Sequence, residues 1–214
     1  MTPQDFMLSI IEEYRAARLT SAELPNIRRG RSHSISSKAE DFLSEYLVRA
    51  DATLELVYVD QPISLPAHLA GTSKAIQRYP DLVLVRNNTV ETLIDLKMDL
   101  GWARTKMSEF CEKHTDTLNF FAGKTGRLKD GQTKEAHNFE FSTNLRYVIV
   151  VISGQNINQK SLQQQLEIVK KFEPRVTVLI LSNGKHPNSY ESDPLGTLSQ
   201  MNIQLEAFRA LKSF

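Results

Sequence analysis

Apolar residues in the first stretch of the chain recur at helical spacing: Phe6, Ile10, Ile11 and Tyr14 share one side, with Glu12, Glu13 and Arg15 between them. That period predicts a helix over 4–18, ending ahead of Pro25. A basic, irregular stretch follows at 25–34. A second helix is predicted from Ser36 or Ser37 to Ala50, with Ala39, Phe42, Leu43, Tyr46 and Leu47 as its apolar face.

The pattern then changes to strands. Leu54 to Val59 reads as one, followed by a loop holding Pro62, Pro66 and Gly71. Pro80 to Val85 and Val90 to Lys97 read as two more, and the turn residues Asn87-Asn88 between them predict a hairpin. Trp102 to Phe121 reads as a helix with Phe110, Cys111, His114, Leu118 and Phe121 on its inner stripe. The Gly- and Lys-rich residues 123–138 read as a loop. Leu145 to Ile152 and Val176 to Leu181 are near-continuous apolar strands flanking a helix over Gln159 to Phe172. A last helix is predicted over 195–212, carrying Leu198, Met201, Leu205, Phe208 and Leu211.

Apolar runs without polar alternation belong inside a sheet covered on both faces. The expected fold class is therefore α/β, with a central mixed β-sheet. No internal repeat or dividing linker is legible, so 1–214 is expected to form a single domain. Its core would lie at 36–182, with the helices at 4–18 and 195–212 as extensions.

Composition narrows the setting. Hydrophobic residues make up 41% and charged residues 24%, the balance of a globular protein rather than a disordered one. With 26 Lys+Arg against 25 Asp+Glu the net charge is +1, so attraction to nucleic acid has to come from local basic patches. Cys111 is the sole cysteine, which excludes an intrachain disulfide framework and favours a reducing compartment. The N-terminus lacks the pattern of a signal peptide and no apolar run approaches a membrane span, so a cytoplasmic protein without membrane contact is expected.

The candidate chemistry sits on the predicted hairpin. Side chains at i and i+2 of a strand share a face, so Asp95 and Lys97 project together while Ile94 and Leu96 enter the opposite layer. Asp81 opens the adjacent strand, where it can approach the pair. Asp95 lies within Thr92-Leu-Ile-Asp-Leu-Lys-Met98, where an acid is costly unless paired or metal-bound. Two carboxylates converging at a strand end suit a hard cation such as Mg²⁺, and a nearby lysine adds charge for a phosphate or an attacking water. Without such a role, Asp95 and Lys97 would be a solvated cross-strand charge pair and Asp81 a turn residue.

Pro80-Asp81, thirteen intervening residues, then Asp95-Leu96-Lys97 resembles the PD-(D/E)XK nuclease superfamily, the restriction-endonuclease-like fold. The order of elements adds to the resemblance: helix, three strands, helix, strand over 36 to 152, with the flanks outside it. The resemblance implies a three-layer α/β/α core and Mg²⁺-dependent hydrolysis of DNA phosphodiesters, with Mn²⁺ able to substitute. It implies metal binding by Asp81, Asp95 and the Leu96 carbonyl, and a water-orienting Lys97. Many members add a Glu from the preceding helix, for which Glu40 is the matching residue. Ser37-x-x-Glu40 is also the pattern of a helix capping box, and both roles stand open. A type II restriction-like endonuclease acting on double-stranded DNA as a homodimer is the first expectation. A repair, recombination or transposition nuclease of the same fold, or a non-catalytic nucleic-acid-binding module, are the alternatives.

Two basic groups could grip phosphates beside the scissile bond: Arg28, Arg29 and Arg31 ahead of the second helix, and Lys124, Arg127 and Lys129 in the Gly-rich loop. Each also fits an ordinary solvated loop. Gly126 and Gly131 are expected to keep the second loop mobile. Gly123-Lys124-Thr125 imitates the end of a P-loop, but Leu118 stands where that motif needs glycine. The five histidines show no paired ligand spacing. His114 and Cys111, on an apolar helix stripe, read as core residues.

Overall fold

The computed structural model describes residues 1–23, 34–101, 106–131, 133–189 and 193–214. Helix α1 (Pro3–Glu23) starts with proline at its first position, where no amide is needed. Its start is closed reciprocally: the Thr2 hydroxyl accepts the Asp5 amide at 3.1 Å, and the Asp5 carboxylate accepts the Thr2 amide at 2.7 Å. Phe6 of α1 meets Tyr46 of α2 (Ser36–Ala50) and Phe208 of the C-terminal helix with ring centroids 5.7 and 5.8 Å apart. Such tilted aromatic pairs add to the burial of the rings themselves.

The strands are β1 (Leu56–Val59), β2 (Ile63–Leu65), β3 (Ile76–Arg78), β4 (Leu82–Arg86), β5 (Thr89–Lys97), β6 (Thr125–Lys129), β7 (Ala136–Val151) and β8 (Val176–Ile180), all in a mixed sheet. Its order is β1-β4-β5-β7-β6-β2-β3, with β8 on the second half of β7. β5 runs parallel to β7 and β7 parallel to β8, whereas β4 and β5 form the antiparallel hairpin. Its turn residues Asn87 and Asn88 have φ of 48° and 57°, the left-handed pair that a tight hairpin turn requires.

This sheet cannot be flat. Three residues (Asp60 to Pro62) join β1 to β2, and three (Tyr79 to Asp81) join β3 to β4. Each connection reaches about 14 Å at most. In a flat sheet the strands they join, five places apart, would stand about 24 Å away from each other. The sheet therefore rolls, bringing Tyr58 of β1 to Phe139 of β7 with ring centroids 5.8 Å apart. The corner lies in β7: between the pairs Val90–Phe141 and Thr92–Arg146, β5 advances two residues and β7 five. Gly126 of β6 sits beneath the Phe141 ring, where a Cβ would come within 2.6 Å of a ring carbon.

Helices cover both faces. Ile94, Leu96, Val148 and Val150 pack with α1, α2 and α7 (Leu205–Lys212). Leu93, Tyr147, Ile149 and Val151 pack on the concave side with α4 (Met107–Phe121) and α5 (Gln159–Val169), which continues into a 3₁₀ turn at Lys170–Phe172. Among the described residues no helix is long and apolar enough to cross a membrane.

Several elements differ from expectation. The stretch between β1 and β4 holds β2, the short helix α3 (Ala67–Ala70) and β3 rather than a loop alone. The expected loop at 123–138 contains β6 and the start of β7, and Gly126 is a packed strand residue rather than a source of mobility. The continuous helix expected over 195–212 is broken into α6 (Pro194–Ser199), β10 (Met201–Ile203) and α7. β10 pairs antiparallel with β9 (Ser182–Gly184). The apolar spacing runs through the break because Met201, extended, still enters the core that Phe208 and Leu211 reach from the helix.

Candidate active site

The hairpin carries the expected acids to one end of the rolled sheet. The pair Leu82–Ile94 sets the register, so Asp81 stands just beyond it, beside Asp95. Leu93 and Tyr147 face each other across β5 and β7, as do Asp95 and Ile149. These residues share the concave face with α4, while Ile94 and Leu96 enter the opposite layer, as the period-two reading requires.

Lys97 is the geometric centre of the group. Its Nζ lies 3.6 Å from Asp81 Oδ2, 3.6 Å from Asp95 Oδ2 and 3.2 Å from the Leu96 carbonyl oxygen, to which it donates. Its ammonium also lies 5.8 Å from the Phe110 ring centroid, within cation–π range. Three oxygens thus converge on one cationic point.

Each acid is also held from behind. Asp81 Oδ2 accepts the Leu96 amide at 2.6 Å. Burial, then the Asp95 charge, raises the Asp81 carboxyl above its ordinary value, while Lys97 and the Leu96 amide oppose the rise. Asp95 is buried, and its Oδ1 accepts the Tyr147 hydroxyl at 2.7 Å. The Tyr147 phenol is pushed well above its ordinary range by burial and by the Asp95 charge.

His114 completes the wall. Its ring stacks on Tyr147 with centroids 3.7 Å apart, and Phe110 meets it edge-on at 4.9 Å. Nε2 lies 3.5 Å from Asp95 Oδ2, buried and without a hydrogen bond. Burial pulls the imidazole down to about 4, against the pull of Asp95, so it is neutral near pH 7. His114 is a core residue, as its helix stripe suggested, and it is also in contact with the site.

Glu40 approaches from the other layer. The helix starts at Ser36 with Ile35 as N-cap and no side-chain cap bond, so the capping-box role does not apply to Glu40. The half-buried carboxyl is raised to about 7, first by burial, then by the Asp81 and Asp60 charges, with Lys97 opposing. Asp60, whose amide donates to the Asp81 carbonyl at 2.8 Å, adds a further exposed acid beside this end of the sheet.

The basic groups are not brought to this point. Arg28, Arg29 and Arg31 lie outside the described residues. Arg127 and Lys129 stand on the exposed side of β6, with Lys124 just before it. β6 pairs with residues 136–140 of β7, whereas Lys97 is opposite Val151 at the strand's far end.

The donor set suits a hard cation. Oxygen ligands from two carboxylates and a carbonyl are the kind Mg²⁺ takes while keeping water in its remaining positions. The Lys97 ammonium stands among these oxygens. Among the described residues no three His, Cys, Asp or Glu side chains form a ready cage, so water or substrate oxygens would have to complete the coordination.

Sequence reasoning missed Tyr147 as a site residue. The available signal was a tyrosine opening the apolar run 147–152: a buried phenol needs a polar partner, and Asp95 is the acid on the neighbouring strand. No protein-family model, curated protein or solved structure matches this chain.

Proposed function

We infer that the protein is a Mg²⁺-dependent nuclease that hydrolyses DNA phosphodiesters, with a core of the restriction-endonuclease-like kind. The observation that carries this reading is the convergence of Asp81 Oδ2, Asp95 Oδ2 and the Leu96 carbonyl on the Lys97 ammonium. The element order supports it: α2, then β1, β4 and β5, then α4 and β7, with β2, β3 and β6 as an added arm.

Asp81, Asp95 and the Leu96 carbonyl would hold the metal, with Mn²⁺ able to substitute. A cation held there would supply an activated water and neutralise charge on the phosphate. Lys97 would orient the attacking water or stabilise the phosphate oxygens. Glu40, raised to about 7, is close enough to neutrality to exchange a proton with water near physiological pH. The substrate is DNA, in the first reading a duplex cut by a homodimer of restriction type. Repair, recombination and transposition tasks use the same chemistry.

The test is cleavage of supercoiled, branched and single-stranded DNA with Mg²⁺ or Mn²⁺ and with EDTA. The reading expects metal-dependent cutting that Asp95→Ala and Lys97→Ala each reduce by about 100-fold or more. Absence of cutting on every substrate at all metal concentrations would leave a non-catalytic nucleic-acid-binding module in its place.

A further inference from the structure

Asp95 has two oxygens in different surroundings. Oδ1 faces the protein and accepts the Tyr147 hydroxyl at 2.7 Å in a buried environment. Oδ2 faces Lys97 Nζ, 3.6 Å away, with His114 Nε2 also near it at 3.5 Å. Tyr147 is itself fixed: it lies in the interior strand β7 between β5 and β8, and the His114 ring stacks on it at 3.7 Å. His114 is in turn held by Phe110. A carboxylate on a strand can rotate about its terminal bond, a broad torsion with little intrinsic preference. The phenol removes that freedom by making one rotation the hydrogen-bonded one.

We propose that Tyr147 is a positioning residue for the cation site, locking Asp95 so that Oδ2 faces Lys97, and that His114 acts by stacking to keep the Tyr147 hydroxyl on Oδ1. The inference rests on the cation-binding reading above. It assigns to Tyr147 and His114 a role in metal affinity rather than only in packing. Hydrogen bonds behind a metal-ligating carboxylate commonly carry about 10- to 100-fold in affinity. A phenol that served only to satisfy a buried acid would change stability on removal and leave affinity where it was.

The experiment is Mn²⁺ binding to the full chain by titration calorimetry, at a temperature well below the melting point of every variant. Wild type binds Mn²⁺ and Asp95→Asn does not. Tyr147→Phe, which keeps the ring and the stack, binds about tenfold more weakly. His114→Phe, which preserves a ring over Tyr147, stays within about threefold of wild type, whereas His114→Ala weakens binding as Tyr147→Phe does. Wild-type affinity in Tyr147→Phe overturns the inference while leaving the cation site in place. Loss in His114→Phe equal to that in His114→Ala overturns the stacking role. If wild type binds no Mn²⁺, the cation-site reading fails and this inference with it. Should His114→Ala not fold, a loss in His114→Phe as large as that in Tyr147→Phe overturns the stacking role by itself.

Discussion

Asp81 accepts the backbone amide of Leu96 at 2.6 Å, so the residue just ahead of one strand of the hairpin is fastened to the middle of the Asp95-Leu96-Lys97 tripeptide on the other. This bond serves both fold and site. Asp81→Asn keeps an oxygen for the Leu96 amide and should cost under about 1 kcal/mol of stability, yet abolish metal-dependent cutting. Asp81→Ala leaves a partly buried amide without a partner and should cost about 1–3 kcal/mol in addition. Denaturant melts of both variants beside their cleavage rates separate the two effects.

Glu40 should make the fold less stable at alkaline pH. Its folded-state carboxyl lies at about 7, above the ordinary 4.5, so the folded form holds the proton more tightly than the unfolded one. Stability from this group is full below 4.5 and declines as pH rises toward 7. A shift of this size corresponds to about 3 kcal/mol. Solvent screening of a half-exposed carboxyl reduces that to about 1 kcal/mol. Glu40→Gln is expected to melt higher than wild type at pH 8 and equal to it at pH 4, in thermal melts at matched ionic strength.

His114 acts at the acid end. Its imidazole is held down to about 4 by burial, so the unfolded chain, with the ordinary value of 6.5, binds a proton first. Its contribution is full above 6.5 and is lost between 6.5 and 4, by about 3 kcal/mol. In His114→Phe that part of the acid destabilisation should vanish. Urea melts at pH 7 and pH 4.5 measure it as a smaller pH difference in the variant.

Gly126 tests the rolled sheet apart from the chemistry. A methyl group there meets the Phe141 ring at 2.6 Å and the Ser64 carbonyl oxygen at 2.9 Å. Gly126→Ala should cost about 1–3 kcal/mol through forced repacking. Mn²⁺ affinity should be unchanged, since Gly126 pairs with Phe139, in the half of β7 remote from the strand end opposite Lys97.

The motif acids, the Asn87-Asn88 turn and the two-faced core were legible because strand period and turn chemistry are local. Ile94 and Leu96 needed only alternation to be assigned to the opposite layer from Asp95. The arm was not legible. β2 and β3 are three residues each, too short to show a period, and β6 carries Gly126, Arg127 and Lys129, whose composition resembles a loop. The apolar spacing of 198–211 suits a helix and equally a helix interrupted by β10, because only the pairing with β9 distinguishes them. His114 and Tyr147 lie on different elements, and no sequence spacing reveals that they stack behind Asp95.

The most direct test of the central claim is the rate at which a labelled DNA duplex is cut in Mg²⁺ by wild type and by Asp95→Asn purified side by side. The account predicts cutting by wild type that EDTA stops and that Asp95→Asn reduces by about 100-fold or more. Equal rates in the two preparations, or no cutting by wild type, would contradict it.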